Sequence, residues 1–253
     1  MSDITITAPP GGWARPWPLV VEVATTLPVG SWVLVGGLMV QLHARVAGVD
    51  AVRPTEDVDA LVDVMAAGVT VSSIADRLRE LGFEIVEPGW EIAPAHRLRR
   101  GRDVVDLLVA DHLPKHKHPR LAGRAAMATD GGAQALARTQ RVTVIDGDAA
   151  VDLTVPDLLG ALVLKAAAYG VDRRDRERHL RDAALLAALI TDHRTELARL
   201  QGSDRKTLRR LREALADPLQ DAWLLLPDLL QQRGQDTLRI LVGHPSGPNV
   251  GSL

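Results

Sequence analysis

The chain has 253 residues, 46% of them hydrophobic and 25% charged, with a net charge of −2. That composition belongs to a folded globular protein and not to a disordered segment, and the length suits one large domain or two small ones. The absence of cysteine excludes a disulfide framework, a Cys-ligated zinc site and a thiol nucleophile, and 30 basic residues against 32 acidic ones exclude a broad basic groove for nucleic acid.

Residues 1–18 carry prolines at 9, 10, 16 and 18 and read as an extended arm. They lack the basic start and apolar core of a signal peptide, and the most apolar run, 33–42, is too short to span a bilayer, so a cytoplasmic protein without a membrane partner is expected. A short helix is expected over 19–27, then an apolar strand over 31–35, then Gly36-Gly37 opening a helix over 38–45. Residues 56–64 read as a second strand, 71–81 as a helix with Ile74, Leu78 and Leu81 on one face, and 83–86 as a short strand. Residues 96–109 read as a hairpin turning at Gly101, 113–133 as loop, and 140–145 with 150–155 as two strands turning at Asp146-Gly147.

After Pro156 the texture changes. Residues 157–169, 174–191, 204–215 and 219–232 all read as helices, with Gly170 closing the first. The expected organisation is therefore a mixed α/β half over 1–155 and a helical half over 156–253, with a loose tail from Gly243.

The sharpest chemical feature is Asp57-Val58-Asp59. Residues i and i+2 of a strand share a face, so both carboxylates project together while Val58, Ala60, Val62 and Val64 turn to the core. Two such carboxylates repel, and a divalent cation relieves the repulsion; hard oxygen donors suit Mg²⁺. A solvated strand face is the plainer reading of a lone pair of this kind. Gly36-Gly37 lies between a strand and a helix, where glycine admits a close phosphate and the helix start offers N–H groups; a tight turn alone is the plainer reading there. Asp106 sits in an apolar strand, where an unpaired carboxylate is costly, and is the candidate third acid with Asp103 as the alternative.

Only Lys115, Lys117, Lys165 and Lys206 among the 30 basic residues are lysine. Lys165 shares a helical stripe with Leu158, Leu162 and Tyr169, so it either snorkels or serves a phosphate. Asp182 shares a face with Leu185, Leu186 and Leu189 and needs a cation, for which Lys165 is the economical partner. The tract Lys115-His116-Lys117-His118, with Arg120 and Arg124, reads first as a solvated loop and second as a phosphate-contacting edge for an RNA acceptor. His112, His116 and His118 form no geometry recognisable from spacing, and His43 reads as a satisfied histidine at the core edge.

Val35-Gly36-Gly37-Leu38, Arg53-Pro54-Thr55-Glu56-Asp57-Val58-Asp59, Val105-Asp106-Leu107, Leu164-Lys165 and Arg181-Asp182 occur in an order that resembles the nucleotidyltransferases of the DNA polymerase β-like superfamily. The chain is most similar to their AbiEii/MenT-type branch, which includes toxins of toxin–antitoxin pairs, and the resemblance runs over about 30–190. It implies an α/β (α+β) fold, with a small mixed β-sheet core flanked by helices and followed by a C-terminal helical bundle. It also implies transfer of a nucleoside monophosphate from an NTP such as ATP to an acceptor hydroxyl, on tRNA or another RNA, with release of pyrophosphate. By the resemblance Asp57, Asp59 and Asp106 hold two Mg²⁺ ions, Gly36, Gly37 and Lys165 contact the nucleotide, Asp182 supports the site, and a small antitoxin protein is the partner. A small-molecule or protein acceptor, or a silent nucleotide-binding relic, are the alternatives. The chain departs from the family in having Gly37 where many relatives carry Ser, and in a longer stretch before Asp57, with 44–52 as an insertion.

Overall fold

The computed structural model describes residues 4–50, 53–89, 93–114, 116–117 and 119–243. In chain order the elements are β1 (Ile4–Thr7), α1 (Trp17–Thr26), β2 (Trp32–Val35), α2 (Gly36–Val46), β3 (Asp57–Val62), α3 (Val71–Glu80), β4 (Glu84–Ile85), β5 (Arg97–Arg100) and β6 (Asp103–Ala110). There follow β7 (Arg120–Leu121), β8 (Arg124–Ala125), β9 (Met127–Thr129), α4 (Gly132–Leu136), β10 (Thr139–Asp146), β11 (Ala149–Pro156) and α5 (Leu158–Val171). The remainder is helical: α6 (Arg176–Leu189), α7 (His193–Arg199), α8 (Asp204–Ala214), α9 (Asp221–Leu224) and α10 (Asp228–Val242). The result is a mixed α/β protein with small mixed sheets and a helical C-terminal region. It divides into two compact units, Met1–Leu164 and Lys165–Leu253, the division falling inside α5.

In the first unit the larger sheet has the order β2-β3-β6-β5-β4. Its centre is the parallel pair β3 and β6, with antiparallel neighbours β2 and β5 outside them. Beyond Asp106 the β5 side of β6 is taken by β9, which runs parallel over Leu108–Ala110. The reason for this centre is legible in composition: Val58, Ala60, Val62, Val105, Leu107 and Val109 alternate inward and are buried. Leu38 and Leu42 of α2, one helical turn apart, and Ile74 and Leu78 of α3 belong to the same core. Helix α3 starts at a reciprocal cap in which Thr70 Oγ1 accepts from the Ser73 N–H at 3.0 Å and Ser73 Oγ accepts from the Thr70 N–H at 3.1 Å. A second sheet, β1-β10-β11, pairs β1 parallel to β10 and β10 antiparallel to β11.

Several elements differ from expectation. The arm contains β1, whose Ile-Thr alternation suits a strand and which adds to β10. The segment expected to be loop contains β7, β8 and β9, strands of two or three residues that are too short to show a period and are fixed by their pairing. The β10–β11 turn lies one residue later than expected, because Asp146 is still paired with Ala149. Helix α5 runs through Gly170 to Val171. The single helix expected over 219–232 is two, α9 and α10, separated at Pro227, which cannot donate a helical N–H and stands at the N-cap of α10. Helix α7 has no buried residue, so it carries no apolar stripe to read.

Among the described residues no helix is long and apolar enough to cross a membrane.

Candidate active site

The register of the larger sheet builds the site. Asp59 stands opposite Asp106 across the β3–β6 pair, and Asp106 stands opposite Arg97 across the β6–β5 hairpin. Asp57 lies two residues before Asp59 and so shares its face. Three carboxylates from two neighbouring strands thus converge, each offering one oxygen within 4.8 Å of the others. Asp57 and Asp59 are half-buried and Asp106 is 5% exposed. Asp103 is on the other face of β6, where it accepts from Arg100 Nη2 at 3.0 Å and from Arg15 Nη2. Between the two acids considered for the third position, the strand pleat places Asp106 with Asp57 and Asp59.

Helix α2 meets the acids at its first residue. Gly36 has φ +71°, and a Cβ built on it would fall 1.7 Å from Asp59 Oδ2 and 2.5 Å from its Cγ. The Asp59 carboxylate therefore lies directly on the Gly36 backbone, and glycine is required both for the left-handed conformation and for the space. At Gly37 a Cβ would fall 2.8 Å from Thr55 Cβ and 2.9 Å from its Oγ1, with Arg53 Nη2 at 3.2 Å. Thr55 fills the room that a serine at 37 would need, which accounts for glycine there. The first-turn N–H groups of α2 have no partner within the helix, as at every helix start, and suit an anionic ligand.

Two residues that carried no role in the sequence reading complete the charge pattern. Arg97 grips Asp106 with both ends of its fork, Nε donating to Oδ1 at 2.8 Å and Nη2 to Oδ2 at 2.7 Å, and the same Nη2 lies 3.5 Å from Asp57 Oδ2. Hydrogen bonding to Asp106 raises the proton affinity of this guanidinium above its ordinary value, despite its partial burial. Thr55 Oγ1 donates to Asp57 Oδ1 at 3.0 Å, which leaves Oδ2 turned toward Arg97. A signal for Arg97 was present: a two-residue turn at Gly101-Arg102 pairs Arg100 with Asp103, and counting back along both strands brings Arg97 opposite Asp106.

In the second unit Lys165 and Asp182 are both buried, and Nζ lies 2.7 Å from Oδ2. Their expected pairing is thus present, between α5 and α6. Nearby, Asp172 accepts from the Arg174 N–H at 2.7 Å, His179 Nε2 at 3.0 Å and Arg178 Nη2 at 2.9 Å. These bonds, the one from the Arg174 backbone first, hold its carboxyl well below the usual range. Burial first, and then the Lys165 charge, push His179 down from its ordinary value.

His43 is 3% exposed and its Nε2 lies 2.9 Å from the Pro156 carbonyl. Burial lowers its pKa against the opposing effect of that hydrogen bond, so the ring is neutral with Nε2–H donating, the satisfied core histidine expected. Lys115 and His118 of the basic tract lie outside the described residues, as does most of the tail. Of the rest, Lys117 Nζ donates to the Val64 carbonyl at 3.3 Å and Arg120 folds onto the Gly123 carbonyl. Among the described residues the three acids are the one group with metal-ligand spacing.

No family model matches the chain, and no curated protein matches it. Among solved structures the chain is similar to an antigenic nucleotidyltransferase-like protein from Paracoccidioides brasiliensis, with 20% identity and a TM-score of 0.49. That match covers 81% of this chain and 90% of the other.

Proposed function

We propose that the protein is a divalent-metal-dependent nucleotidyltransferase that moves a nucleoside monophosphate from an NTP to an acceptor hydroxyl. The observation that supports this reading is the convergence of Asp57, Asp59 and Asp106 within 4.8 Å at the start of α2. The donor set fits a hard cation: three carboxylates from strands held in fixed register, with no sulfur or imidazole among them. When bound there, Mg²⁺ would supply neutralisation of the α-phosphate and acidification of the attacking hydroxyl.

The chain's own groups have distinct tasks in this reading. Asp57 and Asp59 hold the cation from one strand, and Asp106 closes the set from the next. Thr55 fixes the Asp57 carboxylate by donating to Oδ1. Gly36 and Gly37 admit Asp59 and Thr55 against the start of α2, and the first-turn N–H groups of that helix donate to the nucleotide phosphates. For Lys165 we propose a contact to the triphosphate, with Asp182 holding its ammonium. Positioning and electrostatics suffice for such a transfer, so no nucleophilic side chain is needed. The acceptor is assigned to RNA, and the role to a toxin held in check by a small antidote protein, by the family resemblance of the sequence.

The test is incubation with Mg²⁺, labelled NTPs and total RNA. Label transfer with pyrophosphate release, lost in Asp59→Ala and kept in His116→Ala, is the expected result. No transfer to RNA, protein or small-molecule acceptors, and no pyrophosphate, would sink the proposal. Full activity in Asp106→Ala would remove that residue from the site.

A further inference from the structure

We infer that Arg97 is a resident counter-cation of the acid cluster, which a divalent ion must displace from Asp106 in order to bind. The inference rests on the metal reading given above and adds to it a residue and a competition.

Both oxygens of Asp106 are taken by Arg97, at 2.8 and 2.7 Å, in a fork-to-fork pair. The same guanidinium reaches Asp57 at 3.5 Å, so a single cation bridges the two strands that carry the acids. The Asp106 side chain is 8% exposed, and that of Arg97 is 35% exposed. The carboxylate is therefore confined, while the guanidinium has a solvent side toward which it can move. A metal ion sits about 2 Å from a carboxylate oxygen. An ion on Asp106 would thus lie within about 5 Å of a guanidinium nitrogen still bonded to the same carboxylate, and both carry positive charge. A guanidinium keeps its charge at any working pH, so Arg97 cannot shed it to make room. It has to leave at least one Asp106 oxygen. Because the two cations compete for Asp106, weakening Arg97 there strengthens the ion by up to the same factor.

Arg97 also has a structural task among the three carboxylates. They repel one another, and burial of Asp106 without a cation would be costly. Directly opposite Asp106 in the register, Arg97 offsets that cost.

The experiment measures binding, not turnover. Mn²⁺ titration followed by the electron paramagnetic resonance of free Mn²⁺ is compared in the wild type, Arg97→Met, Arg97→Lys and Asp57→Asn. Arg97→Met is expected to bind Mn²⁺ at least tenfold more tightly than the wild type, Arg97→Lys to fall between them, and Asp57→Asn to lose binding. Without metal, Arg97→Met is expected to melt lower than the wild type, and Mn²⁺ to raise its Tm by more. A second measurement needs only the wild type. The Arg97 Nε–H resonance, assigned by its absence in Arg97→Lys, is expected to shift as diamagnetic Mg²⁺ saturates the protein. If Arg97→Met binds Mn²⁺ no more tightly than the wild type, or the Nε–H signal stays fixed at saturating Mg²⁺, Arg97 is no competitor. Should Arg97→Met fail to fold, the resonance alone decides. Absence of Mn²⁺ binding in both the wild type and Arg97→Met would overturn the metal reading itself, and this inference with it.

Discussion

Replacing Gly36 by alanine tests the construction of the site at its tightest point. Two costs arise. At φ +71° an L-residue loses about 1–2 kcal/mol relative to glycine. The new methyl would also stand 1.7 Å from Asp59 Oδ2 and 2.8 Å from Asp59 Cβ, so rotation of the carboxylate alone does not relieve it. Overpacking of that kind costs about 1–3 kcal/mol. Alanine recovers about 0.4–1 kcal/mol by restricting the unfolded chain. The net expectation is a destabilisation of about 1–5 kcal/mol, read by urea unfolding. Gly147→Ala is the control: its φ is +59° and nothing lies within 4 Å of its Cβ position, so it carries the backbone cost alone. The two variants should differ by about 1–3 kcal/mol, the steric part. Adding Asp59→Ala to Gly36→Ala should be less than additive, because it removes the carboxylate from the collision. The Asp59 carboxylate is also displaced in Gly36→Ala, so Mn²⁺ binding should weaken at least tenfold. If Gly36→Ala were no less stable than Gly147→Ala and bound Mn²⁺ normally, the placement of Asp59 against α2 would be wrong.

Three further outcomes follow from the same geometry. Asp57→Asn and Asp59→Asn should lower nucleotidyl transfer at least a hundredfold, while Asp103→Asn, on the opposite face and paired with an exposed Arg15 and a half-buried Arg100, should keep activity and lose only about 1 kcal/mol of stability. Lys165→Met should destabilise by about 3–5 kcal/mol, because it strands the buried Asp182 carboxylate, and Lys165→Met with Asp182→Leu should recover most of that loss on urea unfolding. If Lys165 also meets the triphosphate, the double variant will fold yet show a raised KM for the NTP. His43 has a depressed pKa when folded, so the unfolded chain binds the proton more readily; stability is full above the unfolded value of 6.5 and falls as the pH drops below it. The fall in unfolding free energy between pH 7 and pH 5 should therefore be shallower in His43→Gln, and an unchanged slope would remove His43 from the acid response.

The elements with a strong period were legible in the chain. The Val58-Ala60-Val62 alternation fixed which face of β3 is buried, and by exclusion which face carries Asp57 and Asp59. The Ile74 and Leu78 stripe fixed α3, and the apolar surroundings of Lys165 and Asp182 required that each find a partner. Elements held by pairing or by exposure were not legible. Strands β7, β8 and β9 are too short to show alternation, and α7 buries nothing.

The site divides along the same line. Local sequence determines that Asp57 and Asp59 share a face, since the pleat of a strand has period two and needs no partner. Asp103 and Asp106 are three apart and so must face opposite ways, but which of them joins the pair depends on the register between β3 and β6. Register is a property of two strands whose pairing is set by a buried face elsewhere, so only the folded sheet decides it. The same holds for Arg97, brought to Asp106 by a hairpin, and for Gly36, whose glycine reads as a turn until Asp59 is seen lying 1.7 Å from where its side chain would be.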